Sequence, residues 1–384
     1  MTTAVIVDAI RTPSGRGKPG GALSGHHPVD LFAQVLQQLV RRNDLDPALV
    51  DDVIGGCLSQ VGEQAVNISR NAVLAAGFPH SVPATTIDRQ CGSSQQAAHF
   101  AAQGVIAGVY DIVIAGGVEL MSKNPINAAT NGLDYQGPLL RARYPQGLVG
   151  QGISAELIAS RWQLDRSTLD EYAVRSHRLA ASADFSAEVI DVGTGLTDET
   201  VRPGTTADSL AGLPPAFRDE ELGTRFPEIS WRITAGNSSP LTDGASAVLI
   251  MSEERAASLG LRARARFHSF AVVGSDPIEM LTGVLPATRR ILERSGLGLD
   301  DIDTYEINEA FASVPLAWQT EFDADPNRLN PRGGAIALGH ALGSSGTRLL
   351  GTMLGTLEQT GGRFGLQVMC EGAGMANATI IERL

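Results

Sequence analysis

The chain has 384 residues, more than one average domain, with 43 % hydrophobic and 19 % charged residues and 43 glycines spread without a low-complexity tract, which argues against a fibrous or disordered protein. A formal net charge of −12 argues against nonspecific nucleic-acid binding, which relies on clustered Lys and Arg, but leaves room for a phosphorylated small ligand held by a few local cations or helix N-termini. Three widely spaced cysteines, Cys57, Cys91 and Cys370, suit free thiols better than disulfides or a zinc site with its close ligand pairs.

The start, Met1-Thr2-Thr3-Ala4-Val5, carries no basic stretch ahead of an apolar one, and no apolar run reaches the length of a membrane span, so a cytoplasmic location is expected. Residues 4–10 read as a buried strand that stops at Arg11-Thr12-Pro13. Leu31, Phe32, Val35, Leu36, Leu39 and Val40 recur at helical spacing after Pro28 and Asp30, which predicts a one-faced helix. Residues 53–56 and 111–115 are short apolar runs bounded by glycine, as in interior strands, the second closing in a Gly116-Gly117 turn. Between them, residues 93–108 carry Ala97, Ala98, Phe100, Ala101, Ala102, Val105 and Ile106, a helix with few faces for water. Residues 122–242 change character, rich in Arg, Asp, Gly and Pro with one helical patch near 155–181, and read as an inserted cap or loop domain.

The last third echoes the first. Ser93-Ser94, the apolar helix and the strand at 111–115 find a counterpart in Ser344-Ser345, a helix carrying Leu349, Leu350, Met353, Leu354 and Leu357, a strand at 364–369 and the turn Gly372-Ala373-Gly374. Two duplicated halves packing apolar helices face to face would account for helices buried all round. The expected division is 1–121 plus 243–264 for the first half, 122–242 for the loop domain and 265–384 for the second half.

Four places set reactive side chains at element ends, three of them beside glycine, where backbone amides can approach a ligand. Asp88-Arg89-Gln90-Cys91-Gly92-Ser93-Ser94 puts Cys91 at a predicted helix N-terminus, where the dipole and free amides favour thiolate and can hold an oxyanion. The alternative is an inert core thiol. His340 lies between glycines at the end of an apolar run, placed to present a base; His26, His27, His80, His99, His177 and His268 have no such setting. Cys370 ends a strand in a glycine turn, and Asn308-Glu309-Ala310-Phe311 also sits at a strand end, although Asn308 could be a turn former and Glu309 a helix-start charge. A thiol, a histidine, a second thiol and an amide form an acyl-transfer kit without a metal. No P-loop, dinucleotide fingerprint or zinc pattern is present. Spacing alone reaches Cys-dependent acyl transfer and no further.

In these residues the sequence resembles the thiolase family nearly end to end, with motifs most similar to actinobacterial thiolases of lipid and steroid breakdown. The resemblance rests on Cys91-Gly92-Ser93, Asn308 to Phe311, Gly339-His340 and Cys370-Glu371-Gly372, together with residues 116–122, Thr234 to Ser239 and Asp243-Gly244-Ala245. It implies an α/β protein with the layered αβαβα fold, built from two duplicated halves with an inserted loop domain, and a homodimer or homotetramer. It implies that Cys91 takes the acyl group, that His340 activates it and that Cys370 moves the proton. One oxyanion hole would comprise His340 and a water on Asn308, the other the amides of Cys91 and Gly372. Arg202, Ser209, Phe217, Ala235 and Ser239 match CoA-contacting positions, and Phe311 and Leu342 would border the pantetheine and acyl channel. CoA would be a co-substrate, with no tightly bound cofactor and no metal.

The expected reaction is cleavage of a 3-ketoacyl-CoA by CoA to acetyl-CoA, or propionyl-CoA from an α-methyl substrate, and a shortened acyl-CoA, in lipid or steroid side-chain β-oxidation. Condensation of two acetyl-CoA is the nearest alternative. A decarboxylating ketoacyl synthase would carry a histidine or asparagine in place of Cys370, and a non-catalytic lipid-binding relative would lack the nucleophile or the histidine. The chain departs from the family pattern at Ala341 (often Pro), Ala373 (often Gly), Pro214 (often basic) and Gln151-Gly152 in place of His-Met-Gly, the last favouring a substrate bulkier than acetoacetyl-CoA.

Overall fold

The computed structural model describes residues 2–384. Ten strands run in chain order: β1 (Ala4–Arg11), β2 (Gly15–Arg16), β3 (Asp52–Gly56), β4 (Ala84–Ile87), β5 (Ile112–Leu120), β6 (Thr242–Ser252), β7 (Ala265–Gly274), β8 (Thr304–Ile307), β9 (Phe364–Glu371) and β10 (Met375–Arg383). They order as β4-β3-β5-β6-β1-β7-β10-β9-β8, with β2 beside β6. On one side β3–β5 is parallel while β5–β6 and β6–β1 are antiparallel; on the other β8–β9 is parallel while β9–β10 and β10–β7 are antiparallel. The two halves therefore mirror each other strand for strand. The counterpart of β4 has shrunk to a single parallel bridge between Tyr305 and Leu329. Only Val5–Arg266 and Ile6–Ala265, on β1 and β7, join the halves in register.

The expected face-to-face helices are Ser93–Ile106 and Ser345–Thr360. Ala97, Ala98, Ala101, Ala102 and Val105 of the first share a core with Leu350, Met353, Leu354 and Leu357 of the second, each larger side chain contributing roughly 1.5–3 kcal/mol by burial. A methyl on Gly346 would run into the backbone of Gln95, so glycine sets the distance between the helices. One face stays bare, contrary to expectation: Phe100 is 43 % exposed.

The helix at Pro28–Arg42 forms as read, with proline in its first turn, Asp30 near its N-terminus, Arg41 and Arg42 in its last turn, and Leu31, Phe32, Val35, Leu36, Leu39 and Val40 buried. Two expectations fail. Gly116-Gly117 is no turn, because β5 continues to Leu120. Glycine is required there by close approach, since a side chain at Gly116 would meet the Ser246 carbonyl and the Phe32 ring, and one at Gly117 the Gly343 carbonyl. The helical patch near 155–181 is two helices, Gln151–Arg161 and Arg166–Ser182. The chain breaks at Gln163 (φ +53°) and restarts with Asp165 accepting from the Thr168 amide at 2.8 Å.

Candidate active site

Cys91 is placed by a strained turn. After β4, Asp88 Oδ1 accepts from the Gln90 amide at 2.6 Å and Gln90 takes a left-handed φ of +50°, a conformation that costs roughly 1–2 kcal/mol for a non-glycine residue. Cys91 then stands immediately before Gly92, the N-cap of Ser93–Ile106. Its side chain is buried beside Met121, Leu342, Leu349 and Met369. Burial pushes the thiol up to about 12, the nearby Glu371 carboxyl adds to this, and a weak contact from Gln151 Nε2 at 4.0 Å opposes it. Desolvation thus outweighs the helix terminus, whose dipole and amides favour thiolate, and the Cys91 proton is held more tightly than that of a free thiol.

His340 is fixed on the loop that leads into the helix Ser345–Thr360. Gly339 (φ +80°) turns the chain against Thr242, whose Oγ1 accepts from the His340 amide at 2.9 Å. His340 Nδ1 lies 2.6 Å from Ser345 Oγ, and Nε2 lies 3.3 Å from Asn308 Nδ2. Ser345 Oγ also donates to the Ala341 carbonyl at 2.9 Å. Because that carbonyl can only accept, the serine proton goes there, Nδ1–H donates to Ser345, and the lone pair is left on Nε2. Burial, then the charge of Arg348, lowers His340 to about 3, so the imidazole is neutral at physiological pH.

Asn308 follows β8 directly and is held from behind. Asn330 Oδ1 accepts from the Ile307 amide at 2.9 Å. Glu309, the neighbour that sequence could read as a helix-start charge, instead accepts from Tyr172 at 2.9 Å, Ser176 at 2.7 Å, Asn330 at 2.9 Å and the Ile336 amide at 3.1 Å. Asn308 itself reaches the Cys370 thiol and eases its ionisation, while burial and then Cys91 and Glu371 push that thiol far up. Beyond Cys370, Ala373 takes the positive φ that its glycine-like position demands (+63°), followed by Gly374 at +78°. The open face of Gly372 looks onto Gln90 and Gln151. The Gly372 amide donates to no backbone acceptor among the described residues, and the Cys91 amide faces its own thiol.

The structure therefore gathers Cys91, His340, Asn308, Cys370 and Gly372, with Leu342 against Cys91. Phe217 and Phe311 meet edge to face at 5.7 Å, and Phe217 packs on Gly152 beside Gln151. Ser239 Oγ donates to the Ala310 carbonyl at 3.1 Å, which sets it beside the Phe311 loop, and Ala235 is exposed. Arg202 and Ser209 are exposed and bond none of the central group; the Ser209 hydroxyl is taken by a capping box with Thr206.

Sequence reading passed over three supports. Ser345 was visible as a helix start, five residues after His340. Glu119 accepts from the amides of Leu58, Ser59 and Gly343 and from Gln64, tying the histidine loop to the β3 loop. Glu371 is fully buried and neither carboxyl oxygen has a hydrogen-bond partner. Nothing in one sequence marks either glutamate as buried. The described residues contain no cluster of three or more His, Cys, Asp or Glu able to hold a metal ion.

Comparison with known proteins places this geometry. The family description "Thiolase, N-terminal domain" matches residues 4–254 and "Thiolase, C-terminal domain" matches residues 261–383. Among similar proteins, a steroid 3-ketoacyl-CoA thiolase, FadA6 of Mycobacterium tuberculosis, is 48 % identical over all of this chain and 95 % of its own length. A 3-ketoacyl-CoA thiolase of Serratia proteamaculans is 45 % identical over the full length of both. The crystal structure of an acetyl-CoA acetyltransferase of Bacillus anthracis superposes with a TM-score of 0.88 at 37 % identity, covering 100 % of this chain and 99 % of that one.

Proposed function

Because the chain belongs to the thiolase family, acyltransferases that use CoA as co-substrate, we propose that it cleaves a 3-ketoacyl-CoA with CoA through an acyl-Cys91 intermediate, in lipid or steroid side-chain β-oxidation. The products are acetyl-CoA, or propionyl-CoA from an α-methyl substrate, and a shortened acyl-CoA. The observation that carries the assignment of roles is the burial of the Cys91 and Cys370 thiols close to each other, with Asn308 between Cys370 and the unprotonated Nε2 of a neutral imidazole.

In this reading His340 Nε2 takes the Cys91 proton as sulfur attacks the substrate C3 carbonyl. The C2–C3 bond breaks, its electron pair stays on C2, and Cys370 protonates that carbon. CoA then attacks the acyl-Cys91 thioester, giving its thiol proton to Cys370, and the Cys91 sulfur recovers its proton from His340. Asn308 Oδ1, which accepts from no protein group, can hold the water that completes one oxyanion hole with His340. The amides of Cys91 and Gly372 would form the other.

Residues 122–242 act as the loop domain over CoA between the halves 1–121 plus 243–264 and 265–384, with Arg202, Ser209, Phe217, Ala235 and Ser239 toward the nucleotide and pantetheine and Phe311 and Leu342 along the channel. Pro214, in place of a frequent basic residue, leaves one fewer cation for the phosphates. Self-association as a dimer or tetramer is supported by the edge position of β4 and the exposed apolar side chains Val66, Leu74 and Phe100. No described helix is long and apolar enough to cross a membrane, and we place the protein in the cytoplasm.

Gln151 beside Cys91, together with the likeness to a thiolase named for steroid substrates, favours a bulky acyl chain over acetoacetyl-CoA. Acetyl-CoA condensation is the same chemistry run backwards, and the likeness to an acetyl-CoA acetyltransferase keeps it as the second reading. Steady-state thiolysis of 3-ketoacyl-CoAs of increasing bulk tests the choice: kcat/KM rises with bulk in our reading, whereas equal or higher kcat/KM on acetoacetyl-CoA contradicts it.

A further inference from the structure

Glu371 is a buried acid of the site to which the reaction assigns no task and, unlike Glu119 and Glu309, it has no hydrogen-bond donor. It follows Cys370 at the end of β9 and is fully buried, and neither carboxyl oxygen has a hydrogen-bond partner. Its carboxyl packs directly on Gly92: a methyl there would overlap Oε1, so glycine beside the nucleophile is what admits this side chain. The titratable and charged groups that face it are Asp88, Arg89 and Cys91 on the segment entering the helix and Cys370 on its own strand. Arg89 supplies a cation but no hydrogen bond to the carboxyl, its Nη1 lying 3.5 Å from Met375 Sδ and its Nε having no partner.

A buried carboxylate without a donor is expensive, so a carboxyl in this setting keeps its proton. Cys91, Cys370 and Glu371 are thus three acids buried together, with Glu371 raising the cost of ionising both thiols and Cys91 that of ionising Cys370. The thiolase cycle needs one negative charge there at a time, on Cys91 before attack and on Cys370 after the carbanion is protonated. A carboxylate would add a second.

We propose that Glu371 is a positioning residue that works as a neutral carboxylic acid, leaving the one negative charge of the cysteine pair unopposed, and that its ionisation suppresses thiolate formation at Cys91. This rests on the assignment of Cys91 as nucleophile and adds a control on when it ionises. Consistent with the geometry, burial holds the Glu371 proton up to about 9, with Arg89 opposing and Asp88 reinforcing the shift. Activity around neutral pH then proceeds with the acid protonated, and alkaline pH introduces the opposing charge.

The test reads the thiol directly and needs no turnover. Thiolate absorbance in the ultraviolet is titrated against pH, and the Cys91 signal is taken as the difference from Cys91→Ser, in the native and the Glu371→Gln backgrounds. The expected result is a Cys91 midpoint lower by about one pH unit or more with glutamine, the size of a nearby like charge; coincident midpoints overturn the proposal. Infrared difference spectra between the native protein and Glu371→Gln supply the second readout, independent of any disturbance the variant causes at Cys91. A protonated-carboxyl band that persists at neutral pH and fades near pH 9 is expected, and a native protein without that band at neutral pH overturns it. Failure of Cys91 to become acylated by substrate would instead strike the assigned reaction and leave these titrations readable.

Discussion

The imidazole Nδ1 of His340 lies 2.6 Å from the hydroxyl of Ser345, whose proton is committed to the Ala341 carbonyl. Ser345 therefore selects the tautomer with a free Nε2. Ser345→Ala leaves the ring without that acceptor, and kcat/KM for thiolysis should fall about 10- to 100-fold, or about 1.4–2.7 kcal/mol of transition-state stabilisation. Ser345→Thr, which keeps the hydroxyl, should restore most of the loss. Equal losses in both variants would point to packing and not to the hydrogen bond.

His340 is lowered to about 3 from an ordinary value of 6.5 by burial and by Arg348. The unfolded chain therefore binds a proton between those values that the folded chain refuses, and stability is lost as pH falls from 6.5 toward 3. Catalysis should show no acid limb near 6.5, because the base stays neutral there. The kcat/KM profile measures this, and a drop with a midpoint near 6.5 that disappears in His340→Asn would show that the imidazole charges in that range.

Glu371 acts on stability with the opposite pH trend. Its ordinary value of 4.5 is raised to about 9 by burial, so between these values the folded state holds a proton that the unfolded state releases. Its contribution to stability is highest below 4.5, falls as pH rises, and levels off above about 9. Glu371→Gln removes that slope, and its gain in Tm over the native protein should be greater at about pH 8 than at about pH 5. A gain that does not change with pH contradicts the buried neutral acid.

The sequence made Cys91, His340 and Cys370 legible because each sits within two residues of a glycine at an element end, and Asn308 because it ends a strand; glycine and element ends leave a local trace. The fold sets Asn308 beside both His340 and Cys370, and Cys91 near Cys370. What brought them there was less legible. Gly116 and Gly117 read as a turn because one sequence does not reveal the Phe32 ring, Ser246 and Gly343 backbones that press on an unbroken strand. The raised Cys91 thiol was hidden for the same reason: a helix N-terminus is a local signal, whereas the desolvation that outweighs it comes from Met121, Leu342, Leu349 and Met369, far apart in the chain. Glu119 and Glu309 likewise look like ordinary surface acids until the fold surrounds each with donors. The duplication was visible in the order of motifs, but the loss of a full strand opposite β4 was not, since a single bridge at Tyr305–Leu329 leaves no periodic pattern.

Ala373 occupies a left-handed conformation at φ +63°. Ala373→Gly removes a steric cost of roughly 1–2 kcal/mol against an entropic penalty of roughly 0.5–1 kcal/mol in the unfolded chain. The balance is a net gain of about 0.5 kcal/mol or slightly more. Denaturant unfolding should show the midpoint moving up with an unchanged slope. A loss of stability would mean that the methyl contributes packing the backbone strain does not reveal.

The central claim is that Cys91 carries the acyl group, and intact-peptide mass spectrometry after incubation with an acyl-CoA tests it most directly. The account predicts an added acyl mass on the peptide containing Cys91, released by free CoA and absent from Cys91→Ala. No adduct on that peptide, or an acyl mass that survives in Cys91→Ala, would contradict it.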